Sequence, residues 1–213
     1  ADLATQLDEI GRYLTAANIA TFCGDGVEAD DYIAFIAQAA VPVGLEVVIA
    51  SADKDFMQLV APGVGLLNPN DKSETIWTAE QVRAKTGVAP EQIVDWLSLL
   101  GDSVDNIPGV PGVGPKTATD LLQQFGSVDA LYARLGEVKS ARIRQLLETA
   151  QPDVRRNQSL VRLKPEVGGE FSAATLAVKP GDAGQLAELF REWGFRSLLA
   201  EVLAVPARHP DLI

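Results

Sequence analysis

Residues 99–125 read Leu-Leu-Gly-Asp-Ser-Val-Asp-Asn-Ile-Pro-Gly-Val-Pro-Gly-Val-Gly-Pro-Lys-Thr-Ala-Thr-Asp-Leu-Leu-Gln-Gln-Phe, and this stretch constrains the chain more than any other. Two carboxylates, Asp102 and Asp105, stand three residues apart. A glycine hairpin follows through Gly109, Gly112 and Gly114, and then a helix. Pro115 at its first position and Gly126 just past Phe125 are start and stop signals, so the spacing predicts a helix over 115–125 carrying Lys116 and Thr117 in its first turn. Glycines free the preceding backbone of side chains. Its N–H groups can then approach an anion at a helix N-terminus, where the dipole favours negative charge. A phosphodiester can be gripped this way without its base being read. The plain alternative is a tight helix-to-helix connection with no ligand.

Two nucleotide motifs fit less well. A phosphate-binding loop needs G-x-x-x-x-G-K-[ST], and here Pro115 separates Gly114 from Lys116. A dinucleotide fingerprint fails because the order is G-x-x-G-x-G and Ile107-Pro108 is a poor end for a strand.

The charge of the chain is unevenly spread. Its net charge of −11 is unfavourable for a polyanion, yet residues 116–164 carry 9 basic and 5 acidic side chains against 5 and 17 in residues 1–115. A basic middle is where nucleic acid could dock, although for any single arginine there a solvated helical face is the simpler account. The longest apolar run, Ile33 to Leu45, is broken by Gln38 and Pro42, so no membrane span is expected. Cys23, the single cysteine, excludes an internal disulfide, fits a reducing cytoplasmic setting and reads as a small buried apolar residue. His209, the single histidine, lies in the tail, which removes histidine-based acid–base chemistry.

Along the chain, Leu3, Leu7, Ile10 and Leu14 predict an amphipathic helix over 3–16. Asp25 with Glu28 suggests a variant capping box for a helix running to about Ala40, with Asp30 in line with its apolar face. Leu45–Ala50 predicts a buried parallel strand, and Asp53 and Asp55 lie beyond its carboxyl end, where ligands of open α/β sheets sit. Short strands are expected at 64–67 and 75–77, and Thr78 with Gln81 caps a helix to about Thr86. Further helices are expected from Pro90 to Gly101 and at 127–135, 139–149, 183–193 and 196–203, with a short strand at 159–163. Three segments thus supply acids at junctions: Glu28, Asp30 and Asp31; Asp53 and Asp55; Asp102 and Asp105. If they converge, like charges about 4 Å apart repel by about 4 kcal/mol per pair at an effective dielectric near 20. Divalent cations with oxygen ligands, Mg2+ or Mn2+, would relieve that repulsion. Spacing alone does not show convergence.

Residues 26–34 (Gly-Val-Glu-Ala-Asp-Asp-Tyr-Ile-Ala), 51–59 (Ser-Ala-Asp-Lys-Asp-Phe-Met-Gln-Leu) and the 101–118 block resemble, in order and spacing, the 5′-3′ exonuclease domain of bacterial DNA polymerase I, in the flap endonuclease superfamily. The similarity continues through Phe125-Gly-Ser-Val-Asp-Ala-Leu and Arg156-Asn-Gln-Ser-Leu-Val-Arg-Leu to Phe190-Arg-Glu-Trp-Gly-Phe-Arg-Ser-Leu-Leu, and so covers essentially the whole chain. The resemblance implies an α/β, PIN-like fold, a mostly parallel sheet flanked by helices with a helix-three-turn-helix subdomain that binds DNA. It divides the chain into a nuclease core (1–88), the helical subdomain (89–158) and a return to the core (159–213). It further implies Mg2+- or Mn2+-dependent hydrolysis of DNA at 5′ flaps, nicks and 5′ ends in replication and repair. Glu28, Asp30 and Asp31 would hold one ion, Asp53 would lie between two, and Asp55, Asp102 and Asp105 would hold the second. Gly109, Gly112, Gly114, Lys116 and Thr117 would grip the duplex backbone, with K+ bound by the hairpin carbonyls. A covalently linked polymerase domain is the expected partner in a full-length protein. Family members begin with an aspartate-bearing strand and a basic arch that nothing here matches, so these residues alone are expected to cleave weakly or not at all. A non-catalytic helix-three-turn-helix module that binds DNA, with the acids as caps, is the alternative.

Overall fold

Elements form where the local chemistry asks for them. The computed structural model describes residues 3–167 and 169–204; His209 lies outside them. In chain order the elements are α1 (Leu3–Ala16), α2 (Ala29–Ala40), β1 (Val47–Ala50), β2 (Val64–Leu67), β3 (Ile76–Trp77), α3 (Ala79–Thr86), α4 (Ile93–Leu100), β4 (Gly101–Asp102), β5 (Ile107–Pro108), α5 (Pro115–Phe125), α6 (Val128–Ala133), α7 (Ala141–Val161), α8 (Ala183–Glu192) and α9 (Arg196–Ala204). The contacts group them into two compact units, residues 1–24 with 172–213 and residues 25–171.

The larger unit is an α/β core that runs into a helical part. β1 pairs with β2 in parallel, Val47 opposite Val64 and Ala50 opposite Leu67, and β3 adds antiparallel to β2. The β-branched run after Gly44 therefore forms the expected parallel strand, but it is buried on one face only: Ile49 is buried while Val48 is 47% exposed. Val48 points to the face that the described residues leave uncovered. Thr78 and Gln81 close the expected capping box at α3.

Around α4 the core is continuous. Nearly every side chain of this helix is apolar, which is the signature of a helix buried on all sides, and Ile93, Leu97 and Leu99 are fully buried with Leu122 of α5, Leu131 of α6 and Leu147 and Val154 of α7. Helix α7 corrects two expectations. Instead of stopping at 149 it runs through Pro152 to Val161, and no strand forms at 159–163. Leu147, Ala150, Val154, Asn157 and Val161 recur every three or four residues, so one buried face continues across the proline and outweighs the bond it removes.

The smaller unit joins α1 to α8 and α9. Phe190 stacks among Tyr13, Trp193 and Phe195, Arg12 bridges Glu9 and Glu192, and Trp193 Nε1 donates to Glu9 Oε2 at 2.9 Å. The expected amphipathic helix is present, but its stripe stays open: Leu3, Leu7 and Ile10 are all more than half exposed. Cys23 is likewise exposed rather than a core residue, because it falls in an extended segment before α2.

Candidate active site

All seven predicted acids belong to the larger unit and sit at element ends, where backbone N–H groups are free to hold them. Glu28 is itself the N-cap residue of α2, without a side-chain cap bond, so the expected box with Asp25 does not form. Asp30 and Asp31 occupy the first turn, where the helix dipole favours negative charge. Asp53 caps a short 3-10 turn, residues 54–59, by accepting the Asp55 N–H at 2.9 Å. Asp102 ends β4 and Asp105 lies in the loop to β5, so the two acids share one antiparallel hairpin.

These carboxylates act on one another. Burial first, then the charges of Asp53, Glu28, Asp31 and Asp105, raise the Asp30 carboxyl. Burial, then Asp53, Asp102 and Asp105, push Asp55 up to about 7 against the opposing pull of Lys54. Asp53 and Asp105 appear in both sets. The charges that raise Asp30 and Asp55 thus come from all three segments.

Compensation is uneven across the set. Asp102 is 5% exposed, and although burial works against its charge, a hydrogen bond from Lys54 Nζ to Oδ2 at 2.7 Å and the Val104 N–H on Oδ1 at 2.9 Å hold it below the usual carboxylate range. Asp55 has no such partner: its Oδ1 is buried without any hydrogen bond. A buried, unpartnered carboxylate oxygen beside three other acids is a position that a cation would stabilise. Hard oxygen donors are the kind that suit a divalent cation. Among the described residues no three of these groups already close round a single point, and the set is open rather than a finished cage.

Sequence reasoning missed what holds the three segments in register. The C-terminal end of α7 and the residues after it bond to each of them. Asn157 Nδ2 donates to the Pro108 carbonyl at 2.7 Å and the Ser98 carbonyl at 3.1 Å, fixing the hairpin to α4. Gln58 Nε2 donates to the Val161 carbonyl at 2.9 Å while its Oε1 accepts the Leu163 N–H at 3.1 Å, fixing the turn that bears Asp53 and Asp55. The Lys164 N–H donates to Asp31 Oδ1 at 2.7 Å, fixing α2. One signal was available: Asn157 is a polar residue on the apolar face of α7. Lys54, standing between two acids, was another.

Beside the acids lies the glycine hairpin, and its glycines serve different ends. A Cβ on Gly109 would strike the Leu100 carbonyl, and one on Gly101, at φ +73°, would strike the backbone of Gly109, so these two exist for close packing of the strands. Gly112, at φ +76°, takes a backbone conformation that side chains avoid. Gly114 faces open space and precedes α5, whose N-terminus has no side-chain cap; Lys116 is exposed and Thr117 half-buried in that first turn. The first N–H groups of α5 thus have no side-chain cap, a condition that an anion site requires.

With this geometry in hand, two family models match the chain: "5'-3' exonuclease, N-terminal resolvase-like domain" over residues 1–87 and "5'-3' exonuclease, C-terminal SAM fold" over residues 88–184. A 5'-3' exonuclease of Aquifex aeolicus is 36% identical over 200 residues, covering 94% of this chain and 67% of that one. DNA polymerase I of Rhizobium leguminosarum is 35% identical over 201 residues, again 94% of this chain but 20% of that protein. A solved structure of T5 5'-exonuclease with divalent zinc ions bound superposes with a TM-score of 0.66 over 95% of this chain and 71% of that one, at 22% identity, a likeness of fold.

Proposed function

This chain belongs to the 5′-3′ exonuclease family, and on that premise we propose that it forms the core of a metal-dependent nuclease that hydrolyses DNA phosphodiesters at 5′ ends, nicks and 5′ flaps. It spans about two thirds of the Aquifex relative and a fifth of the polymerase, so a linked polymerase domain in the full-length protein is part of the proposal. The observation that carries it is the Asp55 oxygen, buried and unpartnered among Asp53, Asp102 and Asp105.

Glu28, Asp30 and Asp31 would hold one divalent ion, Asp55, Asp102 and Asp105 a second, with Asp53 between them. Bound there, Mg2+ or Mn2+ supplies an activated water and charge stabilisation for the leaving oxygen. The chain's own part is to fix these carboxylates: Asp53 by its cap bond and Asp31 by the Lys164 N–H, each bond using one oxygen and leaving the other to a cation, and Asp102 by the Val104 N–H on Oδ1 and the Lys54 ammonium on Oδ2, which a divalent ion would have to displace. Gly112, Gly114, Lys116 and Thr117 would hold the duplex by its backbone, with Gly109 shaping the turn and K+ on the hairpin carbonyls. Contacts of that kind select junction shape over sequence.

Calorimetric titration of the chain with Mn2+ tests the reading. Wild type is expected to bind, and Asp53→Ala and Asp102→Ala to lose binding while remaining folded. A wild-type chain that takes up no Mn2+, or variants that bind as well as wild type, would leave the acids as caps in a duplex-binding module.

A further inference from the structure

A second patch of positive charge lies at the end of α7, apart from Lys116 and the start of α5 in the sequence. Arg155, Gln158, Ser159, Arg162 and Lys164, with Asp129 at the rim, line a groove of about 330 Å3 at the C-terminal end of α7. Three cations face one carboxylate there, so the groove keeps a net positive charge in a protein of net charge −11. Arg155 is held in place: its guanidinium bonds to Asp129 and, at 3.0 Å, to Gln158 Oε1, and it lies 5.4 Å over the Tyr132 ring. Gln158 is fixed in turn by Asp95, whose Oδ1 accepts its Nε2 at 2.6 Å. Arg162 and Lys164 are exposed and form no ion pair among the described residues. Two uncommitted cations beside a preorganised guanidinium make a binding place for a phosphate.

Position adds to composition. The backbone N–H of Lys164 holds Asp31, so the groove adjoins the acidic set. We propose that this groove is a second contact for the phosphate backbone of nucleic acid, with Arg162 and Lys164 as its direct ligands and Arg155 as a positioned third. Duplex anchored at α5 and strand anchored here would be held at two points, the second of them next to Asp31. The inference rests on the nuclease reading for the identity of the polyanion.

The test is fluorescence anisotropy of a labelled duplex with a 5′ single-stranded extension, in chelator to prevent cleavage, over a salt series. Each phosphate contact contributes about 0.9 to the salt slope on duplex and about 0.7 on single strand. Arg162→Gln with Lys164→Gln is expected to lower the slope by about 1.4–1.8 and weaken binding about tenfold or more near 0.1 M salt. Lys116→Ala should lower it by about one contact, and the two effects should add. Both groove side chains are exposed, so the melting temperature of the double variant should match wild type, and Arg162→Glu should weaken binding further. An unchanged slope in the double variant beside a reduced one in Lys116→Ala overturns the groove and leaves the nuclease reading intact. Inorganic phosphate bound by wild type and lost in a double variant whose duplex affinity is unchanged would make the groove a free-anion site and also overturn it. A wild-type chain without affinity for DNA overturns both.

Discussion

The Lys54 ammonium stands 2.7 Å from Asp102 Oδ2, so a carboxylate that is 5% exposed is neutralised by the residue lying between Asp53 and Asp55 in the sequence. A lysine thus occupies, in the metal-free chain, part of the role that the proposal gives to a divalent cation. Lys54→Met removes it and leaves Asp102 with the backbone N–H groups of Val104 and Asp105. Because Lys54 is itself about a third exposed, solvent screens the pair, and a loss of about 1–2 kcal/mol is expected in chelator. Urea unfolding with excess Mn2+ should recover most of that loss. An equal loss with and without Mn2+ would mean that no cation reaches Asp102.

Metal-free stability should depend on pH in a particular sense. Burial and neighbouring acids push Asp55 up to about 7, and Asp30 is raised as well, so the folded chain holds these protons to higher pH than the unfolded chain does. Protonation therefore favours folding. The contribution is full below the ordinary carboxylate value near 4 and is lost as pH rises through about 7. Asp102, held low, works the other way: its contribution is present above about 4 and is lost on acidification below that. Urea midpoints in chelator are expected to rise from pH 8 to pH 5 and fall below pH 4. Asp55→Asn should flatten the upper limb, and a limb unchanged in that variant would remove Asp55 as its cause.

Much of this arrangement was legible because its signals are local. Capping at Thr78, the proline start of α5 and the β-branched run of β1 each need only a few neighbouring residues, and all three formed where expected. The three acidic blocks stood out by their order and spacing, which did not say whether they meet. What could not be read is long-range. Leu160 and Val161 suggest a strand until Leu147, Ala150, Val154 and Asn157 are placed on the same buried face, which only packing against α4 decides. Cys23 reads as a buried residue by type, yet it is exposed among the described residues. Gly109 and Gly114 look alike in sequence, and the strand that lies against only one of them separates their purposes.

Asn157 and Gln58 should act as positioning residues. Asn157 is fully buried, and its amide joins two carbonyls on α4 and β5; Gln58 joins the Asp53–Asp55 turn to the end of α7. Asn157→Ala leaves two carbonyls, one of them on buried Ser98, without their donor, a cost of about 1–3 kcal/mol. Hydrogen exchange should then quicken at the hairpin amides of residues 101–110 before it does in α5. In Gln58→Ala the faster exchange should appear at 54–60 and 163. Mn2+ affinity should fall in both although neither side chain is a proposed ligand. Weaker metal binding with unaltered exchange would argue against positioning.

Gly109 and Gly114 provide the sharpest separation of architecture from binding. Alanine at 109 would drive a methyl into the Leu100 carbonyl, and backbone cannot yield as a side chain can, so Gly109→Ala should destabilise by about 2 kcal/mol or more and disturb the hairpin that bears Asp102. Alanine at 114 meets open space at an ordinary φ of −97°, and its cost is the difference between glycine and alanine at an N-cap, under about 1 kcal/mol. If the backbone at the start of α5 approaches a phosphate, that same methyl stands in the way. Gly114→Ala should then weaken duplex binding several-fold at unchanged metal affinity, whereas Gly109→Ala should lose stability first and Mn2+ affinity with it. Urea unfolding, duplex anisotropy and Mn2+ calorimetry on the two variants decide the matter: equal duplex affinity in Gly114→Ala and wild type would show that no nucleic-acid backbone comes close to this helix N-terminus.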